Sequence, residues 1–173
     1  MEQEVRTYSR RTRIRMVAFV VTLVVVLAAL ALSFRAEAAN YKRTIDNAVK
    51  EAIQNTADHV SSIATELDKG RYTASDEQLV TMAAKVWRDA TAGKTAMMEI
   101  PIEEIQLDST YKFLSQVGDY AMTLSGKVLR TEEISEEERD NLTLLADYAN
   151  RLAKKFDEIE GALASGRLRV DDL

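Results

Sequence analysis

The side chains that could carry chemistry are few and far apart in this chain. His59 is the only histidine, and there is no cysteine. Histidine titrates near neutral pH, which makes it the usual general base and a common metal ligand. A single one, with no thiolate to join it, cannot build a histidine triad, a cysteine protease or a zinc cluster from the usual parts. His59 also falls at the edge of an apolar helical stripe, a position that points to a structural role. Glu103-Glu104 and Glu136-Glu137-Glu138 could be read as acid–base pairs. Adjacent residues on a helix do not face each other, so these carboxylates are expected in solvent. Ala92-Gly93-Lys94-Thr95 ends like a phosphate-binding loop, but it lacks the upstream glycine and follows no strand. The expectation is a protein that is not an enzyme, with no catalytic residue, no metal ligand set and no cofactor.

The elements that would position any such group are helical. One residue in 173 is proline and six are glycine, while 46% are hydrophobic and 29% charged. So few helix breakers favour an all-α chain. The lack of cysteine excludes a disulfide framework.

The most specific physical signal is near the N-terminus. Met16 to Phe34 is a run of 19 residues without a charge, bounded by Arg15 and Arg35. A helix of that length spans about 30 Å, the thickness of a bilayer's hydrocarbon core. A cleaved signal peptide is the alternative, since Ala36-Glu37-Ala38 has the small-x-small form of a cleavage site. Signal cores are shorter, about 7–15 residues, and an arginine intervenes here, so an anchor is expected. Arg6, Arg10, Arg11, Arg13 and Arg15 precede the run against Glu2 and Glu4. Basic flanks stay cytoplasmic, which puts residues 1–15 inside and everything after Phe34 on the far side. Residues 36–173 hold 17 basic and 26 acidic side chains, a net of −9. That balance argues against a nucleic-acid partner.

The exported part reads as four amphipathic helices, at about 40–69, 76–98, 108–130 and 136–165. In the first, Val49, Ile53, Thr56, Val60, Ile63 and Leu67 recur at alternating spacings of 4 and 3, the seam of a packed helix. No proline or glycine separates it from the apolar run, so the two are expected to form one continuous helix. Gly70 is expected as its left-handed terminator. Ser75 to Gln78 has the form of a capping box, and Leu79, Ala83, Val86, Ala90, Gly93 and Met97 follow as a seam with Met82 and Trp87 beside it. Pro101 ends that helix. Asp108, Ser109 or Thr110 would cap the third. Ser135 to Glu138 forms a second capping box, and Leu142, Leu145, Ala149, Leu152, Phe156, Ile159 and Leu163 make the most regular seam, with Gly166 at its end. Short connections favour antiparallel neighbours, hence an N-terminal transmembrane helix followed by an up-down four-helix bundle over 36–173.

The third helix holds a glycine that its propensity does not explain. Its seam is Leu114, Val117, Ala121, Leu124 and Val128. Phe113 and Tyr120 flank one side; Tyr111, Gly118 and Ser125 flank the other. Glycine in a helix interior costs about 1 kcal/mol relative to alanine. Gly118 therefore reads as a packing position, where a small residue lets a neighbouring helix come close.

Ile100 to Tyr120, IPIEEIQLDSTYKFLSQVGDY, carries a resemblance to a known family. A proline between aliphatics, a polar cap, Lys112-Phe113-Leu114, then Gln116-Val117-Gly118-Asp119 and an aromatic at Tyr120 resemble the N-terminal domain of the YpeB-type spore germination proteins. Val86-Trp87-Arg88 and the N-terminal apolar span fit the same pattern. The resemblance implies a non-catalytic membrane protein that binds, localises and stabilises a spore cortex-lytic peptidoglycan hydrolase at the outer face of the spore inner membrane. It also implies C-terminal PepSY repeats. The chain ends instead at Leu173, and is expected to be a fragment or a short form. Trp87 and Tyr120, each beside its stripe, are the candidate partner contacts. A homo-oligomer is left open. The alternative function is a four-helix sensor or scaffold domain of another membrane complex. A sensor would need a second span or a cytoplasmic output domain, and only 15 residues lie inside.

Overall fold

The computed structural model describes the backbone of residues 10–72, 75–100 and 107–170, and the side chains of 14–72, 75–100 and 108–170. Among them are four helices and no strand: α1 (Arg10–Arg71), α2 (Asp76–Met98), α3 (Leu107–Leu129) and α4 (Glu136–Ala164). The fold is all-α. The chain divides into two compact units, Met1–Ile45 and Asp46–Leu173, and α1 contributes residues to both.

In the first unit α1 carries the uncharged run. Met16, Phe34 and the large apolar side chains between them are exposed. The helix is long and apolar enough to cross a membrane. In such a helix every backbone polar group is bonded within the segment, as hydrocarbon surroundings require. Arg10, Arg11, Arg13 and Arg15 belong to the same helix. Arg6 lies outside the described residues.

In the second unit the periodic positions became the core. Val49, Ile53, Thr56, Val60, Ile63 and Leu67 of α1 are buried, as are Leu79, Ala83, Val86, Ala90, Gly93 and Met97 of α2. Leu114, Val117, Ala121 and Leu124 of α3 join them, with Leu142, Ala149, Leu152, Phe156 and Leu163 of α4. Val128, Leu145 and Ile159 are half-buried against this core. Each fully buried Val, Leu or Ile contributes about 1.5–3 kcal/mol relative to exposure.

Side-chain ties give the topology. Ser62 and Glu66 of α1 meet Asp89 and Lys85 of α2. Gly93 of α2 lies against Leu114 of α3, and Gly118 of α3 lies against Ala90 of α2. Phe113 of α3 packs on Tyr148 of α4, and Lys127 reaches Glu138. Arg71 and Asp68 of α1 bond Asp147 and Asn150 of α4. In each pair the numbers rise on one helix as they fall on the next, so successive helices run antiparallel and α4 closes the ring against α1. This is an up-down four-helix bundle.

The helix ends differ in part from expectation. Ser135 forms the full capping box: its hydroxyl accepts from the Glu138 amide, and the Glu138 carboxylate accepts from the Ser135 amide. Gly166 follows the end of α4, where it was expected, and takes the left-handed conformation at φ 70°. Ser75 has the extended backbone of an N-cap, but its hydroxyl makes no capping bond. Gly70 is not a terminator: α1 runs on to Arg71, which Asp147 and the Thr143 carbonyl hold. A Cβ at Gly70 would lie 2.8 Å from Met82 Cε, so this glycine makes room for a methionine. Asp108, Ser109 and Thr110 are inside α3, which begins by Leu107, so none of them is its N-cap. Pro101, Glu103 and Glu104 lie outside the described residues.

Candidate functional site

The most reactive-looking cluster was not legible as such in the sequence. Asp89 of α2 is only 4% exposed. Ser62 Oγ donates to its Oδ2 at 2.6 Å, and the neighbouring Arg88 guanidinium donates to both carboxylate oxygens. His59 Nδ1 stands 3.5 Å from Oδ1. Serine, histidine and aspartate are thus together, but the hydroxyl donates to the carboxylate. A serine nucleophile needs its hydroxyl bonded to the imidazole that will take the proton. The arrangement instead compensates a buried charge and ties α1 to α2. The signal was present: Met82, Val86, Asp89 and Gly93 follow the same 4-3-4 spacing as the seam. Gly93, the glycine of the loop-like Ala92–Thr95 stretch, lies inside α2. A Cβ there would be 3.3 Å from Leu114 Cδ1 and 3.4 Å from His59 Cβ.

The acidic triplet at the start of α4 is not wholly in solvent. Glu136 and Glu137 are exposed, while Glu138 is half-buried. Lys127 Nζ bonds its carboxylate at 2.5 Å. That bond first, and the Ser135 amide second, hold the Glu138 carboxyl below the ordinary glutamate value. Glu160 of α4 is shifted the other way: burial, then repulsion from Asp58 and Asp157, hold its carboxyl above the ordinary range. No group of three or more His, Asp or Glu side chains among the described residues is arranged to hold a metal ion.

The three residues singled out around α3 fall on its two faces. Gly118 is buried against α2. A Cβ at 118 would lie 3.2 Å from Ala90 Cβ, 3.7 Å from Trp87 Cδ1 and 3.9 Å from Trp87 Cα. The glycine is therefore the point of close approach between two helices. Trp87 lies over it and is 48% exposed. Tyr120 faces α4, half-buried, and its hydroxyl donates to the Glu138 carbonyl at 3.0 Å. Burial of that phenol, first among the causes, raises its pKa.

Sequence reasoning missed the surface beyond Tyr120. A groove of about 730 Å³ runs between α3 and α4. Its walls are aromatic and aliphatic: Phe113 and Tyr120 from α3, Leu144, Leu145 and Tyr148 from α4. The Phe113 and Tyr148 rings are 4.7 Å apart between centroids. Lys112 and Arg151 bring positive charge to it, and the Arg151 guanidinium lies 5.8 Å from the Tyr148 ring centroid. Such a groove needs two helices, and no single periodicity reveals it.

Comparison with known proteins bears on what these surfaces serve. A family model described as YpeB N-terminal matches residues 37–172. The sporulation protein YpeB of Halalkalibacterium halodurans is 23% identical over 128 residues, which cover 74% of this chain and 29% of that protein. The chain thus matches less than a third of that relative's length. No solved structure matches.

Proposed function

Because the chain belongs to the YpeB N-terminal family, we propose that it is a membrane-anchored sporulation protein that binds and stabilises a cortex-lytic peptidoglycan hydrolase in the spore. The observation that carries this reading is the family match across almost the whole bundle, directly after an apolar span. The sporulation role is supported by the relative's name and by the family. The partner is the finer step, and it comes from the resemblance of Ile100 to Tyr120. In this reading the chain is not the catalyst. The Asp89 cluster ties α1 to α2, and its serine hydroxyl is bonded to the carboxylate and not to the imidazole. Residues 1–15 lie in the cytoplasm, 16–34 span the spore's inner membrane, and the bundle stands on the outer face.

Removing the gene for this chain from a spore-former tests the reading. The hydrolase should fall several-fold in dormant spores and return when the full chain is restored. Undiminished hydrolase in spores lacking the chain would overturn the proposal. A reporter fused after Leu173 should be active only outside the cytoplasm, and protein purified from membranes should retain residues 1–35. An N-terminus at Ala39 or Asn40 would replace the anchor with a cleaved leader.

A further inference from the structure

The groove between α3 and α4 has chemistry that the bundle itself does not use. Leu144 is 63% exposed on its α4 wall, and Tyr148 is also exposed. Lining residues from Ser109 to Tyr120 extend the α3 wall over three helical turns, about 16 Å at 1.5 Å per residue. Lys112 and Arg151 are exposed and form no ion pair with any described residue, although residues 36–173 carry a net charge of −9. Some bundle cations are neutralised at short range, as Lys85 and Lys69 are by Glu66 and Lys127 by Glu138; the described residues that line the groove include these two cations and no acid. Two cations beside an apolar trough, with no acid among its described lining residues, are complementary to a ligand that is apolar in the middle and anionic at the edge. Arg151 is exposed, 5.8 Å from the Tyr148 ring centroid, and a guanidinium is the side chain suited to a carboxylate.

We propose that this groove docks an acidic amphipathic helix of a protein partner, with its apolar side chains against Phe113, Leu144 and Tyr148 and its carboxylates on Lys112 and Arg151. The aliphatic wall at Leu144 and Leu145 favours peptide side chains over a sugar chain. A trough about three turns long suits the helix-in-groove mode of recognition. The proposal deepens the holding role given above and rests on it only for the existence of a protein partner.

The test is photo-crosslinking from position 144 of the full chain in sporulating cells, with benzoylphenylalanine replacing Leu144 and, as a control on α1, the exposed Gln54. The expected adduct at 144 is an identified peptide with Asp or Glu flanking apolar residues at helical spacing. Lys112→Glu with Arg151→Glu should lower its yield about tenfold, and Lys112→Arg with Arg151→Lys should preserve it. Should the charge-reversed chain melt lower than the parent, Lys112→Gln with Arg151→Gln takes its place. Adducts only to glycan, lipid or a second copy, a peptide without acids, a yield indifferent to the charge changes, or no adduct would each overturn the proposal. An acidic-helix partner that is not a peptidoglycan hydrolase would sink the function proposed above and leave the groove assignment standing. Hydrolase retained by a chain that crosslinks to it only from elsewhere would do the reverse.

Discussion

The two faces of α3 solve opposite problems within one helix. Toward α2, Gly118 removes a side chain, so that Ala90 and the backbone of Trp87 come within contact distance. Toward α4, Phe113 and Tyr120 stand against Tyr148, Leu145 and the start of α4, and a groove lies between the helices. Small residues close one interface and large rings hold the other open. The difference teaches how to read a glycine among aromatics: its job lies on the closed side, while the surface free to bind lies on the open side.

The largest effect should come from filling the closed side. In Gly118→Leu, the first atom of the new side chain would already sit 3.2 Å from Ala90 Cβ, and the rest must displace α2. Overpacking of this kind costs about 1–3 kcal/mol. Thermal unfolding of the full chain in detergent, followed by circular dichroism, should show a clear drop in midpoint. An unchanged midpoint would mean that α2 and α3 do not meet there.

Truncating the open side should cost less and act differently. Tyr120→Ala removes a half-buried ring and its bond to the Glu138 carbonyl, for an expected loss of about 1–2 kcal/mol. Tyr120→Phe isolates the hydrogen bond and should cost about 0.5–1.5 kcal/mol. On the closed side, Trp87→Ala, at a half-exposed position, should cost least of the three. If Trp87→Ala instead unfolds the bundle, the close contact depends on the indole as much as on the glycine. If Tyr120→Ala leaves the melt untouched while hydrolase retention fails, Tyr120 belongs to the partner surface.

The lip of the open side is also where acid should act. The Glu138 carboxyl is held below 4.5, the ordinary value, by Lys127 and then by the Ser135 amide. The folded state therefore binds this proton less readily than the unfolded chain. The stabilisation is fully present above the ordinary glutamate range and is lost as pH falls through the lowered value. Glu138→Gln should destabilise by up to about 1 kcal/mol at pH 7, in the range of a lost cap, and should match the parent in strong acid. A difference that persists however far the pH is lowered would assign the effect to packing.

What the sequence made legible follows from how many elements a feature needs. Seams need one helix, and the 3–4 spacing placed every core stripe from Val49 to Leu163. Terminators depend on neighbours. Gly70's role is set by Met82 on the next helix, and at Ser75 the sequence form of the box and the extended backbone are present while the hydroxyl bond is not. Asp89 sits on the seam's own period, yet its charge suggests solvent until Ser62 and Arg88 supply its bonds. The groove combines residues about 35 positions apart, from Phe113 to Tyr148, and only the antiparallel pairing of α3 with α4 brings them together.

The smallest expected effect is also the sharpest test of the closed face. Gly118→Ala should gain about 1 kcal/mol of helix propensity. Its methyl would meet Ala90 Cβ at 3.2 Å, closer than ordinary contact. Ala90 Cβ is fixed to its backbone and cannot rotate away, so relief requires a small shift of α2. Gain and strain nearly offset, and the single substitution should change stability by less than about 0.5 kcal/mol. Ala90→Gly removes the opposing methyl and pays its own propensity penalty. In that background Gly118→Ala should recover most of its gain, since the contact is absent. The two substitutions should therefore couple by about 0.5–1 kcal/mol in a double-mutant cycle, with the double variant more stable than additivity allows. Additive behaviour would show that the 118–90 pair carries no strain. Gly118→Ala alone should then show its full propensity gain, since the next nearest atom, Trp87 Cδ1, lies at an ordinary contact distance of 3.7 Å.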